Sequence, residues 1–487
     1  MKPLDLVFDC AYLIGANRRM KTERQTFKPY RLPILAAGAA VVALLVWLAS
    51  HPDKPLQLRV PGTDASPAGG GQIQSNPALL GTVVISGGSA TELPGNWPQF
   101  RGVNRDGIAE AANLAAAWPA GNPRELWSTE VGEGYAGPAV AAGRVYLMDY
   151  DRERKQDALR CLSLADGQEL WRFTYPVTIK RNHGMTRTVP AVKDNIVVAV
   201  GPKCQVICCD SVTGELRWTR DLVQDFGATV PEWYTGQCPL IDGDHVILAP
   251  GGPDALLLAL RLSDGEIAWR SPNPSDWKMT HSSIMPLVFA GKRQYIYCAN
   301  KGVVGVSAED GSLLWQTTAW KISIATVPSP CIVGEGRVFL TGGYDAGSLM
   351  LQLEAVEGGI AARTLFRLDA ETFGATQHSP VLFRNHLYGI RADGRLVCLT
   401  LAGKVVWESG SLETFGLGPL LLAGDLIFAM NDSGQLRLIK ASPGGYEELA
   451  EAQVLQGRES WGPMALADTR LLVRDFTHLA CLDVGAR

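Results

Sequence analysis

Apolar residues along most of the chain come in short runs punctuated by proline and glycine. A proline, often after Ser or Gly, opens a run of two or three apolar residues. A tight turn containing glycine follows, then a second apolar run, as in Ala139-Val140-Ala141-Ala142-Gly143-Arg144-Val145-Tyr146. That pattern predicts strand, turn, strand. A third strongly apolar run leads to Asp-Gly or Thr-Gly, a hairpin signal, and a fourth run carries a tryptophan. Each unit therefore predicts a four-stranded antiparallel meander.

The unit recurs. Its opening proline is found at Pro138, Pro190, Pro239, Pro286, Pro330, Pro380, Pro419 and Pro463. Its Gly-x-x-x-Trp element is found at Gly167/Trp171, Gly214/Trp218, Gly265/Trp269, Gly311/Trp315 and Gly403/Trp407. Gly445/Leu449 keeps the spacing with leucine in the aromatic slot, and Phe366 fills the slot in a degenerate copy. Residues 96–487 divided among eight units give about 49 residues each, within the roughly 40–50 of a propeller blade. The fold class expected is all-β, an eight-bladed β-propeller of four-stranded antiparallel blades, with an N-terminal transmembrane helix.

The two ends of the repeat are complementary. Glu125-Leu126-Trp127-Ser128-Thr129 is a Trp strand with no blade before it, and the last copy, from Pro463 to Val484, lacks a Trp strand after it. Pairing them closes a ring and removes the exposed edges of an open sheet. Trp127, Trp171, Trp218, Trp269, Trp315 and Trp407 are the expected blade-docking residues.

Ahead of the repeats, Leu32 to Ser50 carries no charged residue, close to the roughly 20 apolar positions that a helix needs to span a bilayer. Residues 1–31 hold Lys2, Arg18, Arg19, Lys21, Arg24, Lys28 and Arg31 against Asp5, Asp9 and Glu23, a net +4. The positive-inside rule then keeps this tail in the cytoplasm and exports the chain after Ser50. A cleaved signal peptide fits less well, because the charged tail is long and no small-x-small site follows the apolar run. Residues 51–95, rich in Pro, Gly and Ser, read as a flexible linker. The expected layout is a cytoplasmic tail at 1–31, an anchor at 32–50, the linker at 51–95 and the propeller at 96–487. This places the protein in the inner membrane as a single-pass protein with its propeller in the periplasm.

Composition narrows the function classes. The chain has 487 residues, 46% hydrophobic and 19% charged, with a net charge of −4. Those values exclude a wholly disordered chain, and without a basic excess no nucleic-acid partner is expected. No Walker loop, dinucleotide fingerprint or Gly-x-Ser-x-Gly elbow is present. The seven histidines show no metal-site spacing.

The Leu-x-x-x-[Asp/Thr]-Gly-x-x-x-Trp repeats, such as Leu162 through Trp171, resemble those of the PQQ-like (pyrroloquinoline-quinone repeat) β-propeller family. The stretch Asn96-Trp97-Pro98-Gln99-Phe100-Arg101-Gly102-Val103-Asn104-Arg105-Asp106-Gly107 looks like the lead-in of exported, BamB-like bacterial members. The resemblance covers about four-fifths of the chain and implies the fold. It leaves function open, because the family holds both calcium- and quinone-dependent alcohol or sugar dehydrogenases and non-catalytic assembly scaffolds.

Segments entering the innermost strands of a propeller converge on its central channel. Here they bring Tyr135, Arg187, Trp233, Tyr234, His281, Thr326, His378 and Trp461 to a channel rim, suited to a polar or anionic small ligand or a peptide side chain. The same aromatics could simply plug the channel. A quinoprotein needs hard oxygen ligands for Ca²⁺ and a carboxylate base, and these segments supply no Asp or Glu. Family dehydrogenases also carry an adjacent-cysteine disulfide beside the cofactor. Cys208-Cys209 instead falls inside a strand, level with Cys161, Cys398, Cys481, Ala259 and Gly305, in a column that wants a small buried residue. The Lys180-Arg181-Asn182-His183 stretch reads as a solvated basic loop. No catalytic or metal site is expected, no cofactor is expected, and the partners expected are other envelope proteins. PQQ and Ca²⁺ enter only under the dehydrogenase alternative.

Overall fold

In the computed structural model, residues 37–44, 46, 75–111, 113–118, 122–180 and 183–486 are described. The chain divides into two units, Met1–Arg59 and Val60–Arg487. The predicted span, Leu32 to Ser50, lies largely outside the described residues. Its described part, 37–44 and 46, is helical with Val41, Val42, Leu44 and Val46 exposed. Among the described residues no helix is long and apolar enough to cross a membrane.

The second unit is built from eight sheets, each a four-stranded antiparallel blade, two of them with a fifth strand added. The first strands of blades 1 to 8 are Ala139–Ala141, Ala191–Lys193, Leu240–Asp242, Met285–Phe289, Cys331–Gly334, Val381–Phe383, Leu420–Ala423 and Ala465–Ala467. These innermost strands approach their counterparts in neighbouring blades, for example blade 8 with 1 and blade 1 with 2. Seven blades run in chain order. In blade 8 the fourth strand is Arg124–Glu130, from the other end of the repeat, paired antiparallel with His478–Asp483. The ring is closed as the sequence predicts.

The recurring geometry of the repeat has a cause in each blade. In blades 1, 2, 3, 4, 6 and 8 the tryptophan pairs across the ladder with a small residue: Cys161, Cys208, Ala259, Gly305, Cys398 and Cys481 face Trp171, Trp218, Trp269, Trp315, Trp407 and Trp127. A register shift beside that pair tips the indole toward the next blade. From blades 8, 1, 2 and 3 it lies there on the hairpin glycine, so that a Cβ at Gly214 would meet the Trp171 ring at 2.6 Å and one at Gly265 the Trp218 ring at 2.6 Å. The indole N–H of Trp127, Trp171, Trp218, Trp269 and Trp407 donates to a carbonyl there, at 2.9, 3.3, 2.9, 3.3 and 2.8 Å.

Two copies depart from this. Trp315 donates instead to Gln294 Oε1 of its own blade at 2.7 Å, because blade 5 offers a longer hairpin, Gly347–Val356 with Gly359–Leu368, whose turn glycine Gly358 has nothing packed against it. In blade 7 the aromatic slot belongs to Ala450, which pairs with Leu438, and not to Leu449, which falls in the register shift.

Part of the 51–95 linker is built onto the propeller. Pro77–Leu80 forms a 3-10 turn capped by Asn76, and Thr82–Ile85 adds a fifth strand outside blade 1.

Candidate functional site: a floored cavity in the central channel

The inner ring is stitched before each first strand. The backbone N–H of Val189 donates to Cys238 Sγ (3.2 Å), that of Cys238 to Ser283 Oγ (3.0 Å), that of Ser283 to Ser329 Oγ (2.9 Å), and that of Ser329 to Ser379 Oγ (2.7 Å). Blades 2 to 6 are thus linked by one small hydroxyl or thiol each. Blades 7, 8 and 1 carry Gly418, Gly462 and Gly137 before the proline, where a Cβ would strike the backbone or side chains behind it. The frequent Ser or Gly before the repeated proline is the sequence trace of this ring.

The lead-in crosses the ring from one side to the other. Trp97 exchanges two backbone hydrogen bonds with Val140 of blade 1, both 2.8 Å, and Pro98 accepts from Val192 of blade 2. Arg105 donates to the Pro239 carbonyl of blade 3 at 3.0 Å. Arg101 donates to the carbonyls of Ser379 (2.7 Å) and Pro380 (2.9 Å) in blade 6. Ile108–Ala109 then runs parallel to the first strand of blade 7. The two arginines of the segment thereby meet inner-strand carbonyls that no ladder partner satisfies. Its sequence showed no strand pattern, so its position was missed; the clustered arginines were the available signal.

Above this floor is a cavity of about 320 Å³. Six of the eight predicted rim residues line it: Tyr135, Arg187, Trp233, His281, His378 and Trp461. The other two stand behind the wall. Tyr234 is fully buried, its hydroxyl bonded to both the N–H and the carbonyl of Lys180 at 2.7 Å. Thr326 is buried between the lining residues Ala325 and Val327, and its carbonyl accepts from the His281 N–H. Lead-in residues Trp97, Phe100 and Arg101 join the wall, as do Tyr344 and His183. His183, in the loop that the sequence suggested is solvated, is exposed and also lines the cavity.

The wall is cross-braced. Tyr135 stacks on Trp461 with ring centroids 5.1 Å apart, and its hydroxyl donates to Glu459 at 2.6 Å. The Trp461 indole N–H donates to Asp432 at 2.6 Å. Arg187 sits over the Tyr135 ring at 5.6 Å and donates to the Gly184 carbonyl. Burial, helped by the charge of Arg187, pushes the His281 imidazole down to about 3. Burial and Arg101 push His378 down to about 4. Both histidines are neutral at ordinary pH. Burial lowers Arg187 only to about 10, so it keeps its charge. The described lining therefore presents two guanidinium cations, the neutral His281 and His378, hydroxyls and aromatics, and no carboxylate.

Cys208 and Cys209 lie in the third strand of blade 2, both free and buried. Their side chains alternate to opposite faces of the sheet, one packed toward blade 3 and the other toward blade 1. Burial pushes the Cys208 thiol up to about 12, and Cys209 well above the usual thiol range. Neither lines the cavity. No group of His, Cys, Asp and Glu among the described residues could hold a metal ion.

An eight-bladed ring with tryptophan-docked blades and a floored channel defines the class of PQQ-like propellers. Residues 154–409 match the family model described as "Outer membrane protein assembly factor BamB", and the chain belongs to that family. No curated protein matches it. Among solved structures, BamB from Moraxella catarrhalis superimposes with a TM-score of 0.52 at 14% identity, covering 74% of this chain and 100% of that one. The computationally designed Ika8 protein gives 0.50 at 12%, covering 74% and 99%. The quinohemoprotein alcohol dehydrogenase ADHIIG from Pseudomonas putida HK5 gives 0.45 at 12%, covering 81% of each.

Proposed function

We propose that the chain is a non-catalytic scaffold of the bacterial cell envelope. In this reading it is held to the inner membrane by residues 32–50, with its tail in the cytoplasm and its propeller presenting binding surface in the periplasm to other envelope proteins. The observation that carries the reading is the cavity wall. A quinoprotein site asks for several hard oxygen ligands to Ca²⁺ and a carboxylate to take the substrate proton, whereas Arg101, Arg187, His281 and His378 supply neither. The two adjacent cysteines lie in a blade interior, away from the cavity. The residues present do not fit that cofactor, and no cofactor is part of the proposal. Membership of the BamB family adds support.

The test uses the full chain in detergent. Titration with pyrroloquinoline quinone and Ca²⁺, followed by absorbance and by dye reduction with alcohols and sugars, is expected to give neither saturable binding nor turnover. Site-specific crosslinkers on the blade loops, activated in intact membranes, are expected to give discrete adducts with envelope proteins. Stoichiometric quinone binding with turnover would overturn the proposal in favour of a dehydrogenase.

A further inference from the structure

The cavity wall is chemically divided. Trp97, Phe100, Leu420, Leu421 and Met464 make an apolar part, and Arg101 and Arg187 bring two positive charges to it. Glu232, beside the lining residue Trp233 and close to Tyr344, is exposed to solvent, and three other nearby carboxylates are engaged outside the lining. Asp106 accepts from the Ile108 N–H, Asp432 from the Leu417 N–H and the Trp461 indole, and Glu459 from the Tyr135 hydroxyl. Nε2 of His281, another lining residue, has no hydrogen-bond partner. A neutral imidazole can donate from one nitrogen and accept at the other. The interior is thus complementary to an anion with an apolar body.

The face on which the cavity opens adds a second observation, in which Tyr344 itself lines the cavity. Ile324 and Leu412, in the connections into blades 5 and 7, are 55% and 85% exposed. Tyr344, in the turn between the second and third strands of blade 5, is 42% exposed. Fourth-to-first connections and second-to-third turns emerge on one face of a meander, so these three apolar side chains share the face on which the cavity opens. A free small anion would fill the interior and leave them in water. A chain that continues out of the cavity would cover them. The volume of about 320 Å³ is at the lower end of the roughly 300–1,000 Å³ of ligand pockets, which suits a chain end or one side chain.

We infer that the channel cavity captures a carboxylate carried by a peptide, at its C-terminus or on an Asp or Glu side chain, while Ile324, Tyr344 and Leu412 hold the apolar residues beside it. The inference deepens the scaffold reading and rests on it by naming the chemistry of the partner.

The probe is a pool of hexapeptides randomised at the last four positions, prepared with free and with amidated C-termini. It is passed over immobilised full-length protein in detergent and read by mass spectrometry. Retained peptides are expected to carry a carboxylate next to an apolar residue, with at least tenfold enrichment over carboxylate-free members. Arg187→Gln is expected to cut retention at least tenfold. Tyr344→Ala, at the exposed mouth and so harmless to folding, is expected to weaken retention severalfold with an unchanged melting temperature. Naphthalene-2-carboxylate serves as the free-anion arm. Retention indifferent to the carboxylate, or indifferent to both substitutions, would overturn the inference, as would tight binding of the naphthoate with no peptide retained. Envelope crosslinks without peptide capture would sink this inference and leave the scaffold standing, whereas quinone turnover would remove the scaffold itself.

Discussion

Asp157 shows what a single side chain can cost inside such a ring. It is fully buried in blade 1, where the Tyr175 hydroxyl donates to its Oδ2, its Oδ1 has no partner, and Gly201 of blade 2 packs against both groups. Burial is the dominant influence and pushes the carboxyl up to about 8, against the lowering effect of the Tyr175 hydrogen bond. An unfolded aspartate loses its proton near pH 3.9. Between those values the native state holds a proton that the unfolded state has released, so stability falls as pH rises. The contribution is fully present below about pH 4 and is lost on approaching pH 8, with a slope of up to about 1.4 kcal/mol per pH unit from this group. Asp157→Asn keeps an acceptor for Tyr175 and has no proton to lose. Its melting temperature is expected to exceed that of the wild type at pH 8 and to flatten the decline between pH 5 and pH 8; parallel pH profiles would refute the assignment. The position reads in sequence as one polar residue before an apolar run, and nothing local to it signals the tyrosine 18 residues on.

At the scale of the blade, the hairpin glycines do two things that can be separated. Gly265 has φ +70° and lies under the Trp218 indole, whereas Gly243 has φ +57° and open space around it. An alanine at either position carries the left-handed backbone penalty, about 1–2 kcal/mol. Only at Gly265 does the new methyl also collide with the docked ring. Gly243→Ala is expected to lower stability by about 1 kcal/mol. Gly265→Ala is expected to lose about 3 kcal/mol or more, approaching the cost of Trp218→Ala, about 3–5 kcal/mol. Urea denaturation of the three variants checks this, and equal losses for the two glycines would mean that the indole contact contributes little. This contact made the repeat legible, since glycine and tryptophan each have few substitutes there. It also explains what spacing could not resolve. Counting from Gly445 points to Leu449, but the register shift moves the slot to Ala450. Trp315 keeps the spacing and still docks differently, because the blade it faces carries another hairpin.

Across the whole molecule, the features legible in advance were those that repetition imposes: the number of blades, the docking residues, and the pairing of first and last strands. The rim followed from the same periodicity, because each connection into a first strand falls at a fixed phase of the repeat. The floor did not. Residues 97–109 occur once, and their partners are spread over blades 1, 2, 3, 6 and 7. The closing strand and the added strand on blade 1 provide a direct comparison of what each edge contributes. Arg124–Glu130 completes blade 8, and its Trp127 docks on Gly167 of blade 1, so it holds two blades together. Thr82–Ile85 only covers an outer strand that is already paired, and Val84 and Ile85 are largely exposed. A proline inside a strand removes a ladder donor and is found essentially only on edge strands or at bulges. Ser128→Pro is therefore expected to lower the melting temperature sharply and, by freeing the edge of blade 8, to shift the protein toward aggregates on size exclusion. Val84→Pro is expected to change stability by about 1 kcal/mol or less and to leave the protein in its original elution position. If the two variants melt together, the ring gains no more from its closing strand than from the strand laid over its rim, and the circular architecture does not depend on that pairing for its stability.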